Sequence, residues 1–221
     1  MVGSVVHVHH TEISDLKPIL DFHLGPRNLA MKAMLGEGIF TQDGATWKHS
    51  RELLRRHFIR MQYQNLEGFR EHVENLIGSL SNCTGVIDLQ PFFFRLTLNT
   101  TIATILGQSV ESFEHEIGDL FSKSFNKASL VTATRVRLGD LYWLYVPKGF
   151  FAACKTIKTY TDQFVRDALW QNGDNAKTST DDTFITDLYA EHQEISLVRD
   201  QVLNVLIAGR DTTAATMSYA M

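Results

Sequence analysis

The sequence predicts a mainly α-helical fold in a single domain, and three observations support this. Apolar residues recur three or four positions apart over most of the chain after residue 46. Proline and glycine, with 4 and 14 copies, fall mainly between these periodic segments. The 221 residues, 44% of them hydrophobic, can bury a sizeable core, which excludes intrinsic disorder as the main state.

Charge and cysteine content exclude several classes of protein. Lys and Arg total 21 against 25 Asp and Glu, so no overall basic field attracts nucleic acid. Two cysteines, Cys83 and Cys154, exclude a disulfide framework and paired-cysteine zinc sites. The sequence has no apolar run of about 20 residues and no signal peptide. As written, it predicts a cytoplasmic chain with no membrane span.

The first 45 residues predict little regular structure. Residues 1–10 are predicted to hold a short strand, with His7 and His9 on one face. Two histidines without a third ligand indicate edge-strand residues more than a metal site. A helix is predicted over 11–21, and glycine-punctuated turns over 22–45.

Helical periodicity dominates the rest of the chain. Pro91 suits the first position of a helix and Gly107 suits a C-cap. Residues 86–89 could be extended, and 172–182 are predicted to form a polar surface loop. The predicted helices cover 46–60, 63–80, 91–106, 111–130, 148–171 and 196–221.

The helix at 46–60 carries the first candidate site. Helical spacing places Trp47, Arg51, Leu54, Phe58 and Met61 on one face. An arginine on a buried face needs an anionic partner, and an indole N–H beside a guanidinium suits a carboxylate on a planar ligand. The alternative is an arginine that extends past the indole to water.

The same helix is strongly basic, with Glu52 as its single acidic residue. Such a helix can bind phosphates or dock on an acidic protein surface, although a solvated face is the simpler interpretation. Too few aromatic residues alternate with the charges for a nucleic-acid platform. The basic residues are Lys48, Arg51, Arg55, Arg56 and Arg60.

The last helix carries the second candidate site. Gly209 lies in mid-helix, which predicts the close approach of something flat or large. Thr212 can donate to the carbonyl of Ala208 and bend the helix. Asp211 beside it supplies a carboxylate that could relay protons inward. The alternative is a helix bend with a capped polar pair.

These segments together resemble the cytochrome P-450 family of heme-thiolate monooxygenases. Residues 208–213, Ala-Gly-Arg-Asp-Thr-Thr, match the family's A/G-G-x-D/E-T-T/S signature of the I helix. Trp47 and Arg51 match the W-x-x-x-R of its C helix, and residues 35–41 resemble the loop before it. The run from 36 to 51 is most similar to the fungal alkane- and fatty-acid-hydroxylating branch.

The resemblance implies a fold and a set of roles. Residues 1–221 would form one partial domain, the N-terminal, distal portion of the cytochrome P-450 fold ending within the I helix, with 46–60 as the C-like helix and 196–221 as the I-like helix. Trp47 and Arg51 would hold a heme propionate. Ala208 and Gly209 would lie against the distal face of the heme.

The resemblance also implies a catalytic pair, a pocket and a redox partner. Thr212 would hydrogen-bond the reacting oxygen or its water, and Asp211 would feed protons to it. Ile39 and Phe40 would shape the pocket of an apolar substrate. Electrons would come from NADPH through a reductase that meets the basic helix, and family members are usually anchored in the endoplasmic-reticulum membrane.

Departures from the family pattern predict a truncated chain. The family's axial cysteine lies in F-x-x-G-x-R-x-C, and neither Cys83 nor Cys154 has that context, so no metal ligand is assigned. The E-x-x-R pair of the family's later K helix and the membrane anchor are also missing from the sequence. The alternative to a monooxygenase is therefore a catalytically inactive helical remnant or a partner-binding fragment.

Overall fold

A computed structural model describes residues 23–61, 66–106, 115–174 and 184–221. The predicted strand at 1–10 and helix at 11–21 lie outside these ranges, as do Gly107 and most of the predicted loop at 172–182. Within the described ranges the regular structure is entirely helical, which confirms the mainly α fold.

Eight α-helices and one 3-10 helix are described. The 3-10 helix, Gly139–Leu144, follows the fifth α-helix directly. Residues 86–89 are irregular, not a strand. The α-helices are α1 (Pro26–Leu35), α2 (Gly44–Met61), α3 (Leu66–Ser81), α4 (Gln90–Leu106), α5 (His115–Leu138), α6 (Phe150–Asp174), α7 (Phe184–His192) and α8 (Ile195–Ala220).

Helix α1 corrects the prediction of turns over 22–45. Gly25 and Gly36 flank it with φ of 59° and 65°, a left-handed conformation that glycine adopts without strain. Pro26 occupies its first turn, where the missing N–H costs no hydrogen bond. The glycines therefore mark the two ends of a ten-residue helix.

The length of α5 and the presence of α7 also differ from prediction. Helix α5 continues eight residues past the predicted end at 130. Its buried face extends over these residues, since Val131, Thr132 and Arg135 are all buried. Helix α7 was not predicted, because nine residues give too few turns for a clear period.

Helix α8 lies at the centre of the described structure and packs against α1, α4, α6 and α7. Val198, Val202, Leu203 and Leu206 are nearly fully buried along it. Each such side chain contributes about 1.5–3 kcal/mol when removed from water. Helix α8 is thus both the core of the fold and the wall from which the candidate site is built.

Candidate functional site

A cavity of about 690 Å³ lies between α2, α4, α8 and the loop 36–43 that joins α1 to α2. Five of the eight residues singled out from the sequence line it. They come from three separate elements: Ile39 and Phe40 from the loop, Arg51 from α2, and Ala208 and Gly209 from α8.

One wall of the cavity is the face of α2 predicted from helical spacing. Arg51, Leu54 and Phe58 line it together. Leu54 is buried, whereas Arg51 is exposed and Phe58 is 44% exposed. This face therefore borders the cavity, and its residue Leu54 also belongs to the hydrophobic core.

Arg51 and Trp47 lie together on this helix. The guanidinium carbon is 5.5 Å from the centre of the Trp47 ring, within the range of a cation–π contact. Trp47 is half-buried and does not line the cavity, so it supports the arginine from the side. Because a cation–π contact uses the face of the guanidinium, the N–H groups at its edge can donate to a planar anion such as a carboxylate.

The wall formed by α4 is rich in threonine. Thr100, Thr101 and Thr104 line the cavity, and their hydroxyls donate to the carbonyls of Leu96, Thr97 and Thr100 at 3.0, 2.6 and 2.6 Å. Each donor is thus used by the helix itself, four residues back.

Gly209 lies where α8 packs against α4. A methyl group at this position would lie 2.6 Å from Oγ1 and 2.9 Å from Cγ2 of Thr101. The sequence indicated that something flat or large approaches Gly209. The structure shows that one such neighbour is helix α4, while the other side of the residue borders the cavity.

Thr212 has the local geometry that the sequence predicted. Its hydroxyl donates to the carbonyl of Ala208 at 2.6 Å. The residue is exposed, and its neighbour Thr213 lines the cavity instead. Thr216 repeats the pattern by donating to the carbonyl of Thr212 at 2.9 Å.

Asp211 lies on another side of α8. It borders a second cleft of about 580 Å³ between α4, α5 and α8, and its Oδ1 is 2.6 Å from Nη1 of Arg210. The structure therefore does not bring Asp211 and Thr212 to the same cavity.

Arg210 is a buried cation that sequence reasoning passed over. It is 3% exposed, with Phe94 and Phe125 rings 4.6 and 5.1 Å from its guanidinium carbon, and it also bonds Asn126. Burial lowers the pKa of Arg210, while Asp211 acts in the opposite direction. Its spacing from the apolar Leu206 and Ala214 could have revealed it.

Sequence reasoning also missed three buried polar residues of α8. Asp200, Gln201 and Asn204 are at most 5% exposed. Asp200 and Asn204 bond the 36–43 loop, and Gln201 bonds α2. Gln201 Nε2 lies 2.6 Å from Oγ of Ser50. The available signal was two adjacent polar residues followed one turn later by a third, within an otherwise apolar stretch of the helix.

Neither cysteine lies in the cavity wall. Cys154 is buried in α6, and burial raises its pKa to about 11. Among the residues that the structure describes, no three histidine, cysteine or acidic side chains are grouped so as to hold a metal ion. None of the described helices is long and apolar enough to cross a membrane.

Comparison with known proteins gives a consistent match. The family model described as Cytochrome P-450 matches residues 18–221. A cytochrome P-450 of Arthroderma benhamiae is 43% identical over 209 residues, which cover 89% of this chain and 41% of the relative. Cytochrome P-450 52A4 of Candida maltosa is 34% identical over an alignment that covers 96% of this chain and 43% of the relative.

Solved structures agree on the fold. A cyanobacterial P-450 with bound retinoic acid superposes with a TM-score of 0.62 at 17% identity, over 86% of this chain and 42% of that one. This chain thus spans about two fifths of the length of the relatives it matches. With nearly its whole length matched, the chain belongs to the cytochrome P-450 family.

Proposed function

We propose that this chain supplies the distal half of a heme-thiolate monooxygenase that oxidises an apolar substrate, a long-chain alkane or fatty acid. The observation that carries the proposal is the cavity, which has Arg51 on one wall and the small residues Ala208 and Gly209 on another. The substrate class follows the resemblance to the fungal branch.

The residues present fit a heme. A planar ring needs a wall without bulk, and Ala208 and Gly209 offer one. A propionate needs donors at the ring edge, which the guanidinium of Arg51, backed by Trp47, offers. When bound, the heme would supply the activation of O₂ with electrons from NADPH.

Ile39 and Phe40 would form the substrate side of the cavity. Both line it, and Ile39 also packs against the hydrophobic core. Together with Val205 and the methyl groups of the α4 threonines they present a largely apolar surface. Such a surface binds hydrocarbon by excluding water.

Thr212 and Asp211 would handle the proton. The Thr212 hydroxyl donates to Ala208, so its oxygen remains able to accept a hydrogen bond. Asp211 is held by Arg210 at one oxygen, and the other could exchange protons with solvent. The two residues are adjacent in α8, and Asp211 would take part from the cleft between α4, α5 and α8.

The basic face of α2 would meet the reductase. Lys48, Arg55 and Arg56 are exposed, as expected of a surface that docks on an acidic protein. By resemblance the assembly would sit at the endoplasmic-reticulum membrane.

The thiolate would have to come from outside these 221 residues, since F-x-x-G-x-R-x-C does not occur in them. That observation also favours a second candidate: a catalytically inactive remnant or partner-binding fragment. The two candidates differ in one measurable property, the binding of heme with a thiolate ligand.

The experiment uses this chain joined at residue 221 to the C-terminal remainder of the 43% identical relative, called below the completed protein. The reduced completed protein with carbon monoxide should give a thiolate-type Soret band and should hydroxylate an alkane or fatty acid. Arg51→Leu should lower heme content, whereas Lys48→Leu, on the same helix but off the cavity, should not. Heme content unchanged by Arg51→Leu would refute the propionate role.

The completed protein decides between the candidates, because the fragment alone should give no thiolate-type band in either case. A thiolate-type band from residues 1–221 alone would contradict the absence of a thiolate ligand in them. A completed protein that binds heme but neither binds nor oxidises any alkane or fatty acid would overturn the substrate class.

A further inference from the structure

We infer that Asp200 and Asn204 of α8 are positioning residues that fix the Ile39-Phe40 wall and thereby set which apolar ligand the cavity accepts. The inference rests on the proposed function for the identity of the ligand. It rests on geometry alone for the fixation of the loop.

Asn204 connects α8 to both ends of the 35–40 segment. Its Oδ1 accepts from the backbone N–H of Phe40 at 2.9 Å. Its Nδ2 donates to the carbonyls of Leu35 at 3.1 Å and Asp200 at 2.7 Å. The side chain is fully buried, and a carboxamide is needed because both a donor and an acceptor are used.

Asp200 holds the same segment one turn earlier. Its Oδ2 accepts from the backbone N–H of Glu37 at 2.8 Å. Its Oδ1 accepts from Arg199, which also reaches Asp162 of α6 at 3.2 Å. The loop is thus connected through two side chains to both α8 and α6.

Two glycines allow this contact. A methyl group on Gly36 would overlap the carboxylate of Asp200, and one on Gly38 would overlap the amide of Asn204. Gly36 also has a φ of 65°, which side chains rarely adopt. The backbone of the loop therefore lies directly on these two polar groups.

The loop is braced internally, so it moves as a unit. The hydroxyl of Thr41 donates to the carbonyl of Gly36 at 2.6 Å and accepts from the N–H of Gly38 at 2.9 Å. Thr41 is buried. Ile39 and Phe40 lie within this closed turn, so a displacement of its anchors moves both side chains together.

Asn204 acts through the loop and not by binding the ligand with its amide. It lines the cavity, but both of its polar atoms are bonded to backbone groups. The cavity therefore receives from Asn204 an apolar surface and a fixed position for Phe40. A change at this residue alters the shape of the wall without removing a ligand hydrogen bond.

The first test measures the loop directly, in this chain without cofactor. Asn204→Asp keeps the acceptor for Phe40 but loses both donations. Asn204→Leu loses all three bonds. Amide hydrogen exchange at Phe40 should accelerate by about tenfold or more in Asn204→Leu, and at Glu37 in Asp200→Ala. Unchanged exchange in both would overturn the inference.

The second test measures selectivity in the completed protein. Dissociation constants for a series of fatty acids of increasing chain length should change in rank order in both Asn204 variants, by about fivefold or more between the shortest and the longest. The control is Leu203→Ala, which is equally buried but does not line the cavity. It should lower the Tm without changing the rank order.

The outcomes separate the two proposals. Rank order altered equally by Leu203→Ala would show that general destabilisation is responsible, and would overturn a specific role for Asn204. If the unmodified completed protein binds no fatty acid, the proposed function fails, and the exchange measurement alone then decides whether Asp200 and Asn204 fix the loop.

Discussion

Replacing Gly209 with alanine would place a methyl group against Thr101 where α8 meets α4, 2.6 Å from Oγ1 and 2.9 Å from Cγ2. Thr101 cannot easily turn away, because its hydroxyl already donates to the carbonyl of Thr97 at 2.6 Å. Relief therefore requires the helices to separate or the threonine to give up this bond.

The magnitude follows from two opposing effects. Overpacking of this kind costs about 1–3 kcal/mol. Removing a glycine from a helix interior returns about 1 kcal/mol. Since two contacts fall at 3 Å or less, we expect a net loss of about 1–2 kcal/mol, equivalent to a fall in Tm of about 2–8 °C for a chain of this size.

A matched control is Gly78→Ala in α3. A methyl group there meets nothing within 4 Å, so the substitution should raise stability by up to about 1 kcal/mol. Thermal unfolding followed by circular dichroism compares the variants under one set of conditions. The double variant Gly209→Ala/Thr101→Ala should recover most of the loss, because the opposing atoms are removed. If Gly209→Ala alone stabilised the chain as Gly78→Ala does, the reasoning would be refuted.

Three further outcomes are expected. Cys154 has a pKa of about 11 against about 9 in the unfolded chain, so it should resist thiol reagents in the native chain while Cys83 reacts; two thiols reacting equally fast would contradict this. For the same reason the free energy of unfolding should fall between pH 9 and 11 by about 2–3 kcal/mol, an effect that Cys154→Ala removes. Arg210→Ala should lower the free energy of unfolding by about 2–4 kcal/mol. Arg210→Met should cost less, because methionine keeps the packing between two aromatic rings, and equal urea midpoints for the two variants would argue against this packing role. Thr212→Ala in the completed protein should lower product formed per NADPH consumed while substrate still binds, and an unchanged ratio would rule out the proposed role.

Local features of the site were predictable from the sequence. The bond from Thr212 to Ala208 joins residues four apart in one helix, and helical spacing alone predicts it. The same spacing placed Trp47 beside Arg51 and gave most helix positions within a few residues. Such features depend on the period of the helix and not on what packs against it.

Features that join distant segments were not predictable. The partner of Gly209 is Thr101, and the partner of the Phe40 amide is Asn204, 164 residues away. The burial of Arg210 depends on aromatic rings from two other helices. A single sequence carries residue types and spacing, whereas these contacts depend on how helices cross.

The threonines of α4 have a consequence for how the cavity meets water. Each hydroxyl proton of Thr100, Thr101 and Thr104 is donated to a carbonyl of their own helix. A bound ligand therefore finds no free hydroxyl donor on this wall and contacts mainly methyl groups. A hydropathy count scores this wall as polar, but with these donors used its hydroxyls can only accept hydrogen bonds from water. A hydrocarbon chain entering here would displace water that had few donors to hold it, and no protein hydrogen bond would have to break to admit it.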